Sequence, residues 1–110
     1  MNTVMTFMDI VQQIVRENLV DTNLNGEFIA RKLGISRMQL HRRLKAQCGK
    51  NTSAFINATR IDIAKKRLAY SNESIQVIAE KVGFASTPYF CKIFKEVVGI
   101  TPSQYRNQYL

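Results

Sequence analysis

The residues best suited to chemistry stand at positions 36–48, SRMQLHRRLKAQC. Met38, His41, Arg42 and Lys45 recur at steps of three and four, so on a helix they share one stripe. Leu40, Leu44 and Cys48 form an apolar stripe on the other side. A helix buried along one stripe and armed along the other suits the major groove of a duplex. Arg42 offers a planar fork for bidentate contact with guanine, His41 a ring nitrogen for a base edge, and Met38 an apolar tip for a thymine methyl. Ser36 at the helix start, with Arg37 and Lys45, suits phosphates.

A second stretch, 86–98, carries a less basic version of the same arrangement. Its outer stripe holds Thr87, Pro88 and Lys92, with Cys91 at the flank and Phe90 and Phe94 turned inward. Lys92 is the main candidate for a base there; Ser86, Lys95 and Arg106 are candidates for phosphates; Tyr89 reads as an edge packer or a backbone contact. The first stretch should therefore supply more of the charge.

Other chemistries find little support. Cys48 and Cys91 are too few and too far apart for a disulfide framework or a zinc site, and both sit among apolar helix positions, where reduced and buried thiols are expected. Both lie on apolar stripes and Cys91 has no obvious basic partner that would mark a nucleophile, so catalysis is not expected, and neither is a cofactor or a metal. The opening MNTVMTFMDIV has no basic leader, and no apolar run reaches membrane length, so no membrane role and a cytoplasmic location are expected.

The charge is unevenly spread. The chain of 110 residues carries a formal +8, yet positions 1–30 sum to −3, positions 31–67 to +10 and the remainder to +1. A basic block in a chain that is 45% hydrophobic fits a folded domain with a polyanionic partner.

The elements that must position these residues are helical. Val4, Phe7, Met8, Val11, Ile14, Val15 and Leu19 keep helical spacing, which predicts a first amphipathic helix. Asn25 caps a second, with Leu24 and Ile29 placed to close a hydrophobic staple, and Gly34 ends it. Ser36 and Gln39 form a capping box for a third, which ends before Gly49. A long helix over about 53–70 follows, with Phe55, Ile56, Ile63, Ala64 and Leu68 as inward candidates. Ser74 caps the next, and Thr101-Pro102-Ser103-Gln104 opens the last.

The chain also repeats itself. Ile29-Ala30-x-Lys32-x-Gly34 returns as Ile78-Ala79-x-Lys81-x-Gly83, and after one inserted residue Ser36, Lys45, Gly49 and Ser53 return as Ser86, Lys95, Gly99 and Ser103. Leu33/Val82, Ile35/Phe84, Leu40/Phe90, Leu44/Phe94, Cys48/Val98 and Phe55/Tyr105 keep apolar character. Each copy has the layout of a helix-turn-helix: Ala30 or Ala79 lets the second helix approach, a glycine makes the reversal, and Ile35 or Phe84 fills the angle. The expected architecture is all-α, with two helix-turn-helix lobes, about 4–51 and 74–110, in one domain spanning 1–110. The connecting helix would span roughly 27 Å at about 1.5 Å per residue, against a groove repeat of about 34 Å, so the two lobes could read adjacent grooves.

From Ile75 onward the pattern Ile75, Ile78, Ala79, Gly83, Phe84, Tyr89, Phe90, Lys92, Phe94, Lys95, Gly99, Thr101, Pro102, Tyr105, Arg106 closely resembles the signature of the AraC/XylS family of bacterial transcription regulators. The stretches LGISRMQLHRRLKAQCGKN and FINATRIDIAKKRL resemble that family's more variable first half. The resemblance implies seven helices, asymmetric promoter sites in double-stranded DNA, and activation through RNA polymerase. Carried over by position, it implies base contacts at Met38, His41, Arg42, Thr87, Pro88 and Lys92, and structural roles for Arg60 and Asp62. Pro88 stands where a hydrogen-bonding side chain often serves, and Cys91 replaces a commoner small hydroxyl.

The whole reads as the output domain of a larger sensor or two-component regulator, monomeric when isolated, with a dimeric parent a further option. A stand-alone short activator and a protein-interaction adaptor with weak DNA binding are the alternatives.

Overall fold

The structure, a computed structural model, describes residues 4–109 and folds them into α1 (Phe7–Glu17), α2 (Gly26–Leu33), α3 (Arg37–Cys48), α4 (Thr52–Tyr70), α5 (Ile75–Lys81), α6 (Thr87–Val98) and α7 (Pro102–Asn107), with no strand among the described residues. Met1, Asn2, Thr3 and Leu110, which belong to the opening segment and to the outer limits of the expected domain, lie outside the described residues.

Each of these helices opens on a side-chain oxygen that accepts a hydrogen bond from a first-turn amide. The caps are Thr6, Asn25, Ser36, Asn51, Ser74, Ser86 and Thr101. Each such cap contributes about 1 kcal/mol. The first cap corrects one expectation. Thr6 and Asp9 form a capping box that starts α1 after Val4, leaving Val4 85% exposed rather than packed in the helical stripe. Leu19 also falls outside α1, and packs against the core of the second unit.

The chain divides into two compact units. The first takes residues up to 18 and 23–59. Its buried apolar side chains are Val11 and Val15 of α1, Leu24, Ile29 and Ala30 around α2, Leu40 and Leu44 of α3, and Phe55 and Ile56 of α4. Leu24 and Ile29 bracket the Asn25 cap, as a staple requires. Gly34 ends α2 in the left-handed conformation, φ 69°, where a side chain is disfavoured. The guanidinium of Arg43 on α3 lies 3.8 Å from the ring centre of Phe7, a cation–π contact that ties α1 to α3.

The second unit takes residues 19–22 and 60 onward. Ile61, Ala64, Leu68, Ile78, Ala79, Val82, Phe84, Phe90 and Phe94 form its core. Phe84, Phe90, Phe94 and Tyr105 meet in succession, with ring centres 5.2, 5.8 and 5.6 Å apart. The two copies are not equally sealed: Val82 and Phe84 are buried where Leu33 and Ile35 are half-exposed.

Three groups outside the repeat pattern hold this unit together. Arg60 is buried and donates from Nε and Nη2 to Leu19 O at 3.3 and 3.1 Å, and from Nη2 to Asp21 O at 2.9 Å. Burial lowers its pKa from the usual guanidinium range, with Asp21 opposing that shift. Asp62 is exposed, so of the two residues expected to be structural only Arg60 is packed inside. Arg106 on α7 donates to Leu68 O, Glu73 O and Ser71 O at 3.1, 2.6 and 3.3 Å, gathering the end of α4 and the turn after it. Glu73 accepts from Arg67 at 2.9 Å and pairs with Lys81 of α5.

The bonds from Lys81 and Arg67 hold the Glu73 carboxyl at about 2, well below its usual 4.5. A carboxylate depressed on folding lends stability that is fully present above its unfolded value and is lost as the pH falls through its folded one. The stability difference between the native chain and Glu73→Gln should therefore narrow as the pH drops from about 4.5 towards 2. Urea unfolding at a series of pH values checks this, and a difference that stays constant across that window contradicts it.

Candidate nucleic-acid interface

In the first unit α3 is positioned by what it buries. Leu40 and Leu44 are inaccessible, so the residues between them must face outward. Met38, His41, Arg42 and Lys45 are all exposed, Met38 to 64%. Arg42 Nη2 lies 3.2 Å from Met38 Sδ, so the two expected base contacts touch one another. Ser36 Oγ accepts from the Gln39 amide at 3.1 Å, which leaves its own O–H free to donate, and Arg37 beside it is exposed.

Arg37, Met38 and His41 also line a concave surface shared with Asn25, Gly26 and Glu27 at the start of α2 and Asn51, Thr52 and Ser53 at the start of α4. The starts of α2 and α4 carry the positive ends of their helix dipoles. Glu27 is the one acidic side chain lining that surface, and it faces Arg31 at 3.7 Å. Asn51 was not singled out from the sequence, and Ser53 was read there only as a repeated position at the start of the long helix. The signal for Asn51 was available, since an Asn just before a long apolar-periodic segment marks a helix start.

In the second unit α6 buries Phe90 and Phe94 and leaves Pro88, Lys92 and Lys95 exposed, with Thr87 half-buried. Pro88 falls in the first turn, where its missing amide hydrogen costs nothing. Ser86 Oγ accepts from the Tyr89 amide at 3.2 Å. Tyr89 meets Phe84 edge-on with ring centres 5.8 Å apart, so it packs the edge of this unit's core.

Two expectations need correction. Arg106, expected at a phosphate, has its guanidinium committed to three backbone carbonyls. Cys48 and Cys91 are half-buried rather than buried. The Cys48 thiol donates to Leu44 O at 3.2 Å, and Cys91 packs at the margin of the second core. The basic block also presents less free charge than its count suggests: Arg60 is buried and Arg67 is paired with Glu73.

Residues 29–108 match the helix-turn-helix domain family. The fold is similar to that of a transcriptional regulator from Chromobacterium violaceum described as containing an AraC-type DNA-binding domain, with a TM-score of 0.83, 29% identity, and coverage of 90% of this chain and 88% of that one. The chain belongs to the AraC/XylS family. The regulatory protein PocR of Salmonella typhimurium is 34% identical over 86 residues, covering 78% of this chain and 28% of PocR. Histidine kinase P4 of Formosa agariphila is 33% identical over 97 residues, covering 88% of this chain and 7% of the kinase. The chain is a DNA-binding domain of the AraC type, and it spans less than a third of the length of these two relatives. No helix among the described residues is long and apolar enough to cross a membrane.

Proposed function

We propose that α3 and α6 are the recognition helices, each entering a major groove of double-stranded DNA. Met38, His41 and Arg42 contact bases from α3, and Thr87, Pro88 and Lys92 from α6; Ser36, Arg37, Lys45, Ser86 and Lys95 contact phosphates. The observation that carries this reading is the outward stripe of α3, where a guanidinium, an imidazole and an apolar tip stand exposed above fully buried Leu40 and Leu44. The thinner polar armament of α6 supports unequal half-sites, with α3 supplying more of the base discrimination.

The parent protein is a larger sensor or two-component regulator whose output is this domain, acting with RNA polymerase at promoters. Similarity to a small part of a histidine kinase supports that placement. The isolated domain binds as a monomer and works without catalysis, in the cytoplasm.

The test is selection from a random duplex pool followed by mobility shift of the enriched fragment at moderate salt. A discrete enriched sequence, bound at least about a thousandfold better than random duplex, supports the reading. Uniform, salt-labile binding to any duplex contradicts it.

Lys45→Ala separates charge from reading. It should weaken all duplexes alike and reduce the slope of log affinity against log salt by about one unit. An unchanged slope removes Lys45 from the phosphate contacts.

A further inference from the structure

Met38 combines three properties that its proposed contact with a thymine methyl does not require together. It is 64% exposed, it stands on the outward stripe of α3, and its sulfur lies 3.2 Å from Arg42 Nη2. A thioether is a weak acceptor, so this contact holds the guanidinium loosely and leaves it available to a base edge. We propose that Met38 is an oxidation site, and that its conversion to the sulfoxide by a peroxide-class oxidant switches off base reading by α3. This rests on the assignment of Arg42 to a base.

The chemistry balances with the oxidant alone. The sulfur lone pair attacks one peroxide oxygen, the O–O bond breaks and an S–O bond forms. Sulfur loses two electrons and the peroxide is reduced; with hydrogen peroxide the proton on the transferred oxygen passes to the departing hydroxide, which leaves as water. The product differs from the thioether in two ways that bear on recognition. Its oxygen is a strong acceptor within reach of the same Arg42 nitrogen, and a charge-assisted hydrogen bond there engages the fork needed for guanine. The apolar tip also becomes polar, which removes the fit to a methyl group. Phosphate contacts from Arg37 and Lys45 do not involve the sulfur, so non-specific binding is retained.

Other methionines give an internal control. Met5 is exposed and lies before α1, away from the α3 stripe in sequence, and Met8 is half-buried on α1. Met5 should oxidise at a comparable rate without effect on recognition.

The experiment starts from the duplex selected by the unoxidised domain. The domain is treated with hydrogen peroxide, the oxidised positions are assigned by peptide mass spectrometry, and affinities for the selected and a scrambled duplex are measured. The ratio of the two should fall by about tenfold or more once Met38 is oxidised, while scrambled binding changes less than twofold. Methionine sulfoxide reductase should restore the ratio. Met38→Leu starts from a ratio of its own, since the position contacts a base, and that ratio should not fall through the same treatment although Met5 is oxidised. A ratio unmoved by Met38 oxidation, or an equal loss in Met38→Leu, overturns the switch. Failure to select any sequence at the first step overturns base reading itself, and the switch falls with it.

Discussion

Gly83→Ala unfolds the second unit at temperatures where the native chain is stable. Two independent facts converge on this position. Its φ of 95° lies where L side chains are disfavoured, and a Cβ built there would stand 1.8 Å from the carbonyl oxygen of Leu19 and 2.8 Å from Arg60 Nε. The first cost alone is about 1–2 kcal/mol. The second cannot be relieved by rotating a flexible side chain, because the obstructing atom is backbone and Arg60 holds that same carbonyl by two hydrogen bonds. Moving residues 19–22 away would leave the buried Arg60 guanidinium without its acceptors, itself a change of several kcal/mol. The combined loss should reach about 4 kcal/mol or more, in the range reserved for identified steric and buried-polar defects. Thermal unfolding followed by circular dichroism should show a midpoint lowered by roughly 15 °C or more.

Gly34→Ala, the equivalent change in the first unit, is the control. Gly34 has nearly the same backbone need, φ 69°, but nothing lies within 4 Å of its added Cβ. Only the conformational cost of about 1–2 kcal/mol applies. Equal destabilisation by the two substitutions would show that the Leu19 carbonyl plays no part.

That contrast marks where the sequence could be read and where it could not. Turn glycines, capping pairs such as Ser36 with Gln39 and Thr101 with Gln104, and the buried stripe of Leu40 and Leu44 are local features. Their partners stand within four residues, so type and spacing suffice to find them. The stripe they leave exposed, with Met38, His41 and Arg42, was legible for the same reason. The partners of Arg60 and Arg106 were not, because they are backbone carbonyls 33 to 41 residues away in the chain, and only the family resemblance marked Arg60 as structural. A carbonyl has no sequence signature, and a basic residue in a basic stretch looks like one more phosphate ligand. Arg106, outside the basic block, was expected at a phosphate because the three carbonyls that hold it cannot be read from the chain. Gly83 was legible as a turn but not as the seat of the Leu19 carbonyl, since the repeat gave it the same role as Gly34.

The same distinction between local and distant partners bears on Arg42, whose removal should have the largest effect on recognition. Its side chain is exposed and its hydrogen bond runs to Met38, one turn earlier on the same helix, so Arg42→Ala breaks no hydrogen bond between elements among the described residues. Stability should change by less than about 0.5 kcal/mol, as at other exposed sites. Binding should change far more. If the fork meets a guanine, alanine loses about 1–3 kcal/mol on the selected duplex, and nearly all of that loss is specific to one base position. Replacing that guanine in the duplex should then cost the native domain a similar amount and cost Arg42→Ala almost nothing, the coupling expected of two groups that touch. Arg42→Lys keeps the charge but not the planar fork, and should behave like alanine in base preference while keeping the native salt slope. A lysine variant that retains base preference, or an alanine variant weakened equally on every sequence, makes Arg42 a phosphate ligand and moves base reading elsewhere on α3.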